Sequence, residues 1–116
     1  MLFVCYPKCS TCQKARKWLD MAGASYDVRD IREDRPTEAE LRAWVKKSGL
    51  DVRRFFNTSG IQYRALNLKE RLPRMSEDEM DALLASDGML VKRPLLITEE
   101  TVVPGFRPEA YADAVK

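Results

Sequence analysis

The chain has 116 residues, a formal net charge of +2 and no histidine. This length predicts a single domain that buries enough surface to fold without disulfides or a metal. So small a charge gives no reason to expect direct binding of nucleic acid, and the absence of histidine removes the commonest general base and metal ligand. No segment is apolar over a membrane-spanning length and the N-terminus lacks a signal-peptide pattern, so we expect no membrane partner.

The first thirty residues predict a strand, a helix and a second strand. The apolar run MLFVCY ends at Pro7 and is typical of a buried strand. From Ser10 the apolar positions follow a helical period, with Gly23 as the expected end. The alternating segment SYDVRDI predicts a second strand, which should run parallel to the first because a helix joins them.

The middle of the chain is predicted to be helical. Two capping boxes begin helices there, Thr37 with Glu40 and Ser76 with Glu79. Gly49 is the expected end of the first helix, and the second is expected to stop near Gly88.

The last third returns to strands. The segments PLLIT and TVVPGF flank Glu99 and Glu100, which predicts an antiparallel hairpin with a two-residue turn. Pro108 is typical of the first position of a helix and opens the last one. The predicted order is therefore β-α-β, a helical insert over about residues 36–88, then β-β-α, within one α/β domain spanning residues 1–116.

All three cysteines, Cys5, Cys9 and Cys12, lie at the first strand-to-helix turn. The helix dipole and the free N–H groups at a helix start favour a thiolate at Cys9. Cys12 falls on the buried face one turn later, where it can attack a mixed disulfide of Cys9 from within. A C-x-x-C pair on a β-α turn is typical of a redox site. An odd number of thiols without an export signal favours a reducing compartment, so we expect a cytoplasmic protein.

Other uses of the three thiols fit the sequence less well. A structural zinc site needs four ligands, and three thiols without histidine do not supply them, so we expect no metal. A structural disulfide between Cys9 and Cys12 would close too short a loop to add much stability. Cys5 lies within a strand pattern, and we expect it to be a buried and inert small hydrophobe.

Two arginines precede prolines at successive turns late in the chain. Arg93 and Arg107 are candidates for an anion site near Cys9, because guanidinium groups bind oxyanions in a fork; a solvated surface position is the alternative for each. Pro94 begins a strand, and from the residues alone a trans bond is expected for any X–Pro peptide.

The segments YPKCSTCQKARKWL, FFNTSG, KRPLLI and GFRPE, in this order, resemble the ArsC/Spx family of thioredoxin-like proteins. The resemblance covers essentially the whole chain. It implies a thioredoxin/glutaredoxin-like core, a cis Pro94 that lies against the thiols, and Cys9 as the nucleophile. No cofactor is expected, and the reductant would be glutathione, glutaredoxin or thioredoxin.

The two branches of that family differ in function. Its arsenate reductases use a cysteine at the Cys9 position and usually carry no thiol at the Cys12 position. They hold the oxyanion with three arginines, of which Arg93 and Arg107 match two, while the third position falls at Asn57. The Spx regulators use C-x-x-C as an oxidation switch and bind the α subunit of RNA polymerase.

We therefore predict a thiol–disulfide oxidoreductase of the arsenate reductase-like type. Cys9 is the predicted nucleophile and Cys12 the resolving thiol, with Arg93, Pro94 and Arg107 around the substrate. An Spx-like redox-switched regulator that binds the RNA polymerase α subunit is one alternative. A glutaredoxin-coupled arsenate reductase is the other.

Overall fold

The computed structural model describes all 116 residues and contains one mixed four-stranded sheet flanked by helices. The strands are β1 (Leu2–Cys5), β2 (Asp27–Asp30), β3 (Leu95–Ile97) and β4 (Val102–Pro104). The α-helices are α1 (Ser10–Met21), α2 (Glu38–Ser48), α3 (Ile61–Ala65), α4 (Leu68–Arg71), α5 (Glu77–Ser86) and α6 (Pro108–Ala114). Short 3-10 helices span Val52–Phe55, Leu72–Arg74 and Gly88–Leu90. None of the helices is long and apolar enough to cross a membrane.

The strand order β2-β1-β3-β4 brings three separate chain segments to one end of the sheet. β1 pairs with β2 in parallel, and β3 runs antiparallel to both β1 and β4, which confirms the predicted parallel pair and the predicted hairpin. Because β3 runs against β1, the start of β3 lies beside the end of β1. The end of β4 lies at the same place for the same reason, so residues 6–9, 92–94 and 104–106 meet there.

The sheet separates two apolar clusters, and the period-2 alternation of its strands supplies both. Phe3 and its partner Leu96 belong to the smaller cluster with α1 and α6. Val4 and its partner Leu95 belong to the larger cluster, with α2 and α5. All four side chains are fully buried, so a register shift of one residue would exchange the two faces. The smaller cluster also contains Cys12, and its packing thereby positions one of the two thiols of the motif.

The helix boundaries predicted from capping residues are largely confirmed. The Thr37 and Ser76 hydroxyls accept hydrogen bonds from the N–H groups of Glu40 and Glu79, and both capping boxes are complete. Gly49 ends α2 with a φ of 71°, in the left-handed region that glycine adopts without strain. These ends depend on local backbone chemistry, which is why the sequence predicts them.

Candidate active site

Cys9 lies at the junction of β1 and α1, where it is the N-cap residue of the helix. Its N–H donates a hydrogen bond of 2.9 Å to the carbonyl of Tyr6, which closes the turn between strand and helix. No side chain caps the first turn of α1, so the N–H groups of that turn stay available to an anion. The half-buried Cys9 thiol therefore stands at the positive end of a twelve-residue helix.

The surroundings of Cys9 favour its thiolate. Burial acts to raise the pKa of this thiol, but the opposing effects together outweigh it. They come from the N–H and the thiol of Cys12, from the N–H of Thr11 and from the positive charge of Arg93. The pKa of Cys9 consequently lies below that of an ordinary cysteine, the direction expected for a thiol at a helix start.

Cys12 lies one helical turn further on and has the opposite character. It is 2% exposed, and burial raises its pKa to about 12, with the nearby Cys9 sulfur acting in the same direction. The N–H of Tyr6 donates to its Sγ at 3.4 Å, which favours the Cys12 thiolate without outweighing burial. Both thiols are free, and Cys9 ionises first while Cys12 keeps its proton.

Arg93 lies two residues before β3, and its positive charge acts on Cys9. Its guanidinium carbon lies 5.4 Å from the centre of the Tyr6 ring, and one Nη donates to the carbonyl of Met89 at 3.3 Å. Its Nε is buried and has no hydrogen-bond partner within the chain. The Arg93–Pro94 peptide is cis, as the family resemblance implied and contrary to the trans bond expected from the residues alone.

A cavity of about 600 Å³ opens onto Cys9. It combines neutral polar, apolar and cationic side chains: Cys9, Thr11, Asn57, Ser59, Gly60, Ile61, Gln62, Met89, Lys92, Arg93, Gly105 and Phe106. Lys92 and Arg93 are its two cations, and its wall contains no carboxylate. Asn57 stands in this wall, whereas Arg53, Arg54 and Arg64, its neighbours in sequence, do not. No three carboxylate or thiol groups are placed to hold a metal ion.

Comparison with known proteins assigns the chain to a family. Residues 5–114 match the model of the ArsC family. The chain belongs to the ArsC family. The resemblance expected from four short segments is therefore confirmed over nearly the whole chain, together with the thioredoxin-like fold that it implied.

Proteins with sequences similar to this ArsC-family chain include an uncharacterized protein and regulators. YusI of Bacillus subtilis (strain 168), an uncharacterized protein, is 52% identical over 113 residues, which are 97% of this chain and 96% of YusI. The regulatory protein MgsR of the same strain is 26% identical over 93% of this chain and 84% of MgsR. The global transcriptional regulator Spx 2 of Bacillus anthracis is 23% identical over 87% of this chain and 76% of its own.

Solved structures similar to this ArsC-family chain include a near match and an arsenate reductase. An ArsC family related protein from Bacteroides fragilis has a TM-score of 0.96 and 53% identity, covering 97% of this chain and 95% of its own. An arsenate reductase from Vibrio cholerae has a TM-score of 0.84 and 27% identity, covering 98% of each chain.

Arg107 does not line the cavity that contains Cys9. It is the N-cap residue of α6 and lines a separate cavity of about 480 Å³, together with the β3–β4 turn, and this cavity contains no cysteine. The backbone at Arg107 is extended, with φ −131° and ψ 106°, and side chains of successive extended residues point to opposite sides. Phe106 faces the thiol cavity, so Arg107 faces away from it. The structure thus brings Cys9, Cys12 and Arg93 together, with Pro94 directly after Arg93, and leaves Arg107 apart.

Three residues of the site were not found from the sequence of this ArsC-family protein. Tyr6 supports the Arg93 guanidinium with its ring, and Lys92 and Ile61 line the cavity. Each lies within or directly beside a quoted segment, since Tyr6 opens YPKCSTCQKARKWL, Lys92 opens KRPLLI and Ile61 follows FFNTSG. That adjacency was the available signal, but only the folded chain shows on which side each residue lies.

Arg93→Met is expected to raise the pKa of Cys9, because it removes the positive charge that stabilises the thiolate. Since the thiolate is the reactive form, alkylation speeds up as pH rises through the pKa and then levels off. A raised pKa moves this curve to higher pH, and the rate at pH values below the midpoint falls. The measurement is the iodoacetamide alkylation rate of Cys9 against pH, followed on the Cys9 peptide by mass spectrometry.

Arg107→Met is the matched control for this prediction, because it removes an arginine from the other cavity. We expect its alkylation curve to coincide with that of the wild type. Equal shifts in the two variants would contradict the assignment of Arg93 as the cation that acts on Cys9.

Proposed function

We propose that this ArsC-family protein is a thiol–disulfide oxidoreductase with Cys9 as nucleophile and Cys12 as resolving thiol. The observation that carries the proposal is the contrast between the two thiols. Cys9 has a lowered pKa and faces a cavity, while Cys12 is buried beside it with a pKa of about 12. This contrast assigns the role of nucleophile to Cys9 and the role of resolving thiol to Cys12.

In the first step the Cys9 thiolate attacks one sulfur of a substrate disulfide. A new S–S bond forms between Cys9 and that sulfur, and the other sulfur leaves as a thiolate that takes up a proton. No histidine is present in the chain, so ionisation of Cys9 depends on the helix N-terminus and on Arg93 rather than on a general base. Arg93 also stands near the leaving thiolate and stabilises its charge.

In the second step Cys12 resolves the mixed disulfide. Once Cys9 is bonded to the substrate it carries no negative charge, which removes one of the effects that raise the pKa of Cys12. The Tyr6 N–H continues to stabilise the Cys12 thiolate. Cys12 loses its proton and attacks the Cys9 sulfur, so that the Cys9–Cys12 disulfide forms and the substrate leaves as a thiol. Two electrons have passed to the substrate, and an external thiol such as glutathione, glutaredoxin or thioredoxin returns them.

The reduction potential of the Cys9–Cys12 pair tests this proposal. We expect a value of about −200 to −270 mV, the range of glutaredoxins and thioredoxin, because a pair in this range can be oxidised by a substrate and reduced again by cellular thiols. The protein is equilibrated in glutathione buffers of defined ratio, free thiols are trapped, and the species are counted by mass spectrometry. Failure to form a Cys9–Cys12 disulfide in any buffer would contradict the proposal.

A redox-switched regulator is the second candidate function, and the similarity to MgsR and Spx 2 favours it. The resemblance to the Spx branch implies the α subunit of RNA polymerase as the partner. In this function the Cys9–Cys12 disulfide changes a binding surface and is not turned over rapidly. The potential separates the two candidates, because a switch that responds to stress should oxidise only at potentials well above the cytosolic range.

Arsenate reduction has less support from the site. The similarity to the Vibrio cholerae arsenate reductase favours it. However, the cavity at Cys9 contains one arginine, Arg93, with Asn57 at the position of another and Arg107 in a separate cavity. Each missing guanidinium removes a charge-assisted pair of hydrogen bonds from an oxyanion. A disulfide requires no such set of arginines, and we favour it as the substrate.

A further inference from the structure

The cavity beside Cys9 has an apolar side that the chemistry of the thiols does not use. Met89 and Phe106 are half-buried in its wall, and Ile61 stands at its rim with 83% of its surface exposed. Few large apolar side chains of this protein are so exposed, and Ile61 alone among them lines the cavity of the nucleophile. An apolar surface next to a reactive group favours contact with an apolar group of a partner.

The rim that carries Ile61 is held in place before any partner arrives. The N–H of Asn57 donates to the carbonyl of Leu90 at 2.8 Å, which ties this loop to the segment before β3. Gly60 packs so closely on Asn57 that an added Cβ would lie 2.7 Å from the Asn57 Nδ2. The backbone of the loop before Ile61 is therefore tied to the segment before β3, and a partner does not need to order it.

The cationic side of the cavity has no ion-pair partner in the chain. Lys92 is anchored through its backbone, with its N–H donating to the carbonyl of Phe55 at 2.7 Å, while its side chain lines the cavity. Neither Lys92 nor Arg93 takes part in any ion pair of the protein. With two cations and no carboxylate in its wall, the cavity is complementary to a negatively charged partner group.

We propose that this cavity binds a protein segment whose reactive cysteine is flanked by an apolar and an acidic side chain. Ile61 contacts the apolar side chain and Lys92 attracts the acidic one, while Cys9 attacks the disulfide between them. A small anion would engage the cations but leave Ile61, Met89 and Phe106 uncovered. The proposal rests on the oxidoreductase function and specifies its substrate class as protein disulfides.

Four symmetric peptide disulfides test the two contacts separately. Their central sequences are Leu-Cys-Glu, Leu-Cys-Lys, Gly-Cys-Glu and Gly-Cys-Lys, and hydroxyethyl disulfide serves as a small uncharged reference. Each reaction consumes one disulfide and the two thiols of the reduced protein, and it yields two peptide thiols and the Cys9–Cys12 disulfide. Second-order rate constants are measured by acid quenching and chromatography of the released thiol. We expect Leu-Cys-Glu to react about tenfold faster than Gly-Cys-Lys, with the charge preference decreasing as salt is added.

Two variants assign the preferences to their residues. Ile61→Ser should abolish the preference for Leu over Gly and keep the preference for Glu over Lys. Lys92→Gln should do the reverse. Met21→Ser removes an equally exposed side chain, 81% exposed on α1 and outside the cavity, and should keep both preferences.

The outcomes separate this proposal from the function on which it rests. If no disulfide, including hydroxyethyl disulfide, oxidises the protein, both are overturned. If hydroxyethyl disulfide reacts and the four peptides do not differ, only the docking proposal is overturned. It is likewise overturned if Met21→Ser alters the preferences as much as Ile61→Ser, since exposure anywhere on the surface would then have the same effect.

Discussion

Cys9→Ser is expected to lower the rate of disulfide reduction by at least about a thousandfold. Cys12→Ser is expected to stop the reaction at the mixed disulfide between Cys9 and the substrate. Serine at position 9 cannot supply a thiolate, so no covalent step begins. In Cys12→Ser the Cys9 thiolate still attacks, but no thiol is left to resolve the mixed disulfide. Intact-protein mass spectrometry after addition of hydroxyethyl disulfide should show one adduct per chain in Cys12→Ser and none in Cys9→Ser.

Cys5→Ala is the matched control for these variants. Cys5 is buried, burial raises its pKa, and it belongs to the same small apolar cluster as Cys12. We expect this variant to reduce disulfides at the wild-type rate. Wild-type turnover in Cys12→Ser, or an adduct that forms on Cys12 while Cys9 is free, would show that the roles of the two thiols are assigned wrongly.

Gly88→Ala is expected to destabilise the fold by about 3 kcal/mol or more, the upper range for overpacking a closely packed site. A Cβ at this position would lie 1.9 Å from the carbonyl oxygen of Ile31 and 3.4 Å from the Cβ of Arg35. Because the nearer atom belongs to the backbone that follows β2, a side-chain rotation cannot relieve the clash. The free energy of unfolding in urea is the measurement.

Gly49→Ala is the matched control for the stability prediction. Its φ of 71° makes a Cβ strained, but no atom lies within 4 Å of where that Cβ would be. We expect a loss of about 1 kcal/mol from the backbone conformation alone. Equal losses of unfolding free energy in the two variants would contradict the prediction. They would mean that the backbone near Ile31 shifts to accommodate the added Cβ at position 88 without a further cost in stability.

These two glycines show which part of the fold was predictable. Gly49 acts through its own dihedral angles, and the sequence predicts its role at the end of α2. The second capped helix was predicted to stop near Gly88, and α5 does end close to it, at Ser86, while Gly88 itself lies within a 3-10 helix. Its importance comes from contact with Ile31, which lies far from it along the chain. No local pattern carries that information.

The sequence by itself determined the elements, their order and the place of the redox motif. Periodicity, capping residues and the C-x-x-C pair act over a few residues, so Cys9 and Cys12 fall on a helix start whatever surrounds them. Only the tertiary structure decided which other side chains lie near the thiols. The antiparallel pairing of β3 with β1 carries Arg93 to Cys9, whereas the extended backbone at Arg107 turns that side chain into another cavity. Contacts between distant segments depend on strand direction and side-chain orientation, which are properties of the assembled sheet and not of any one segment.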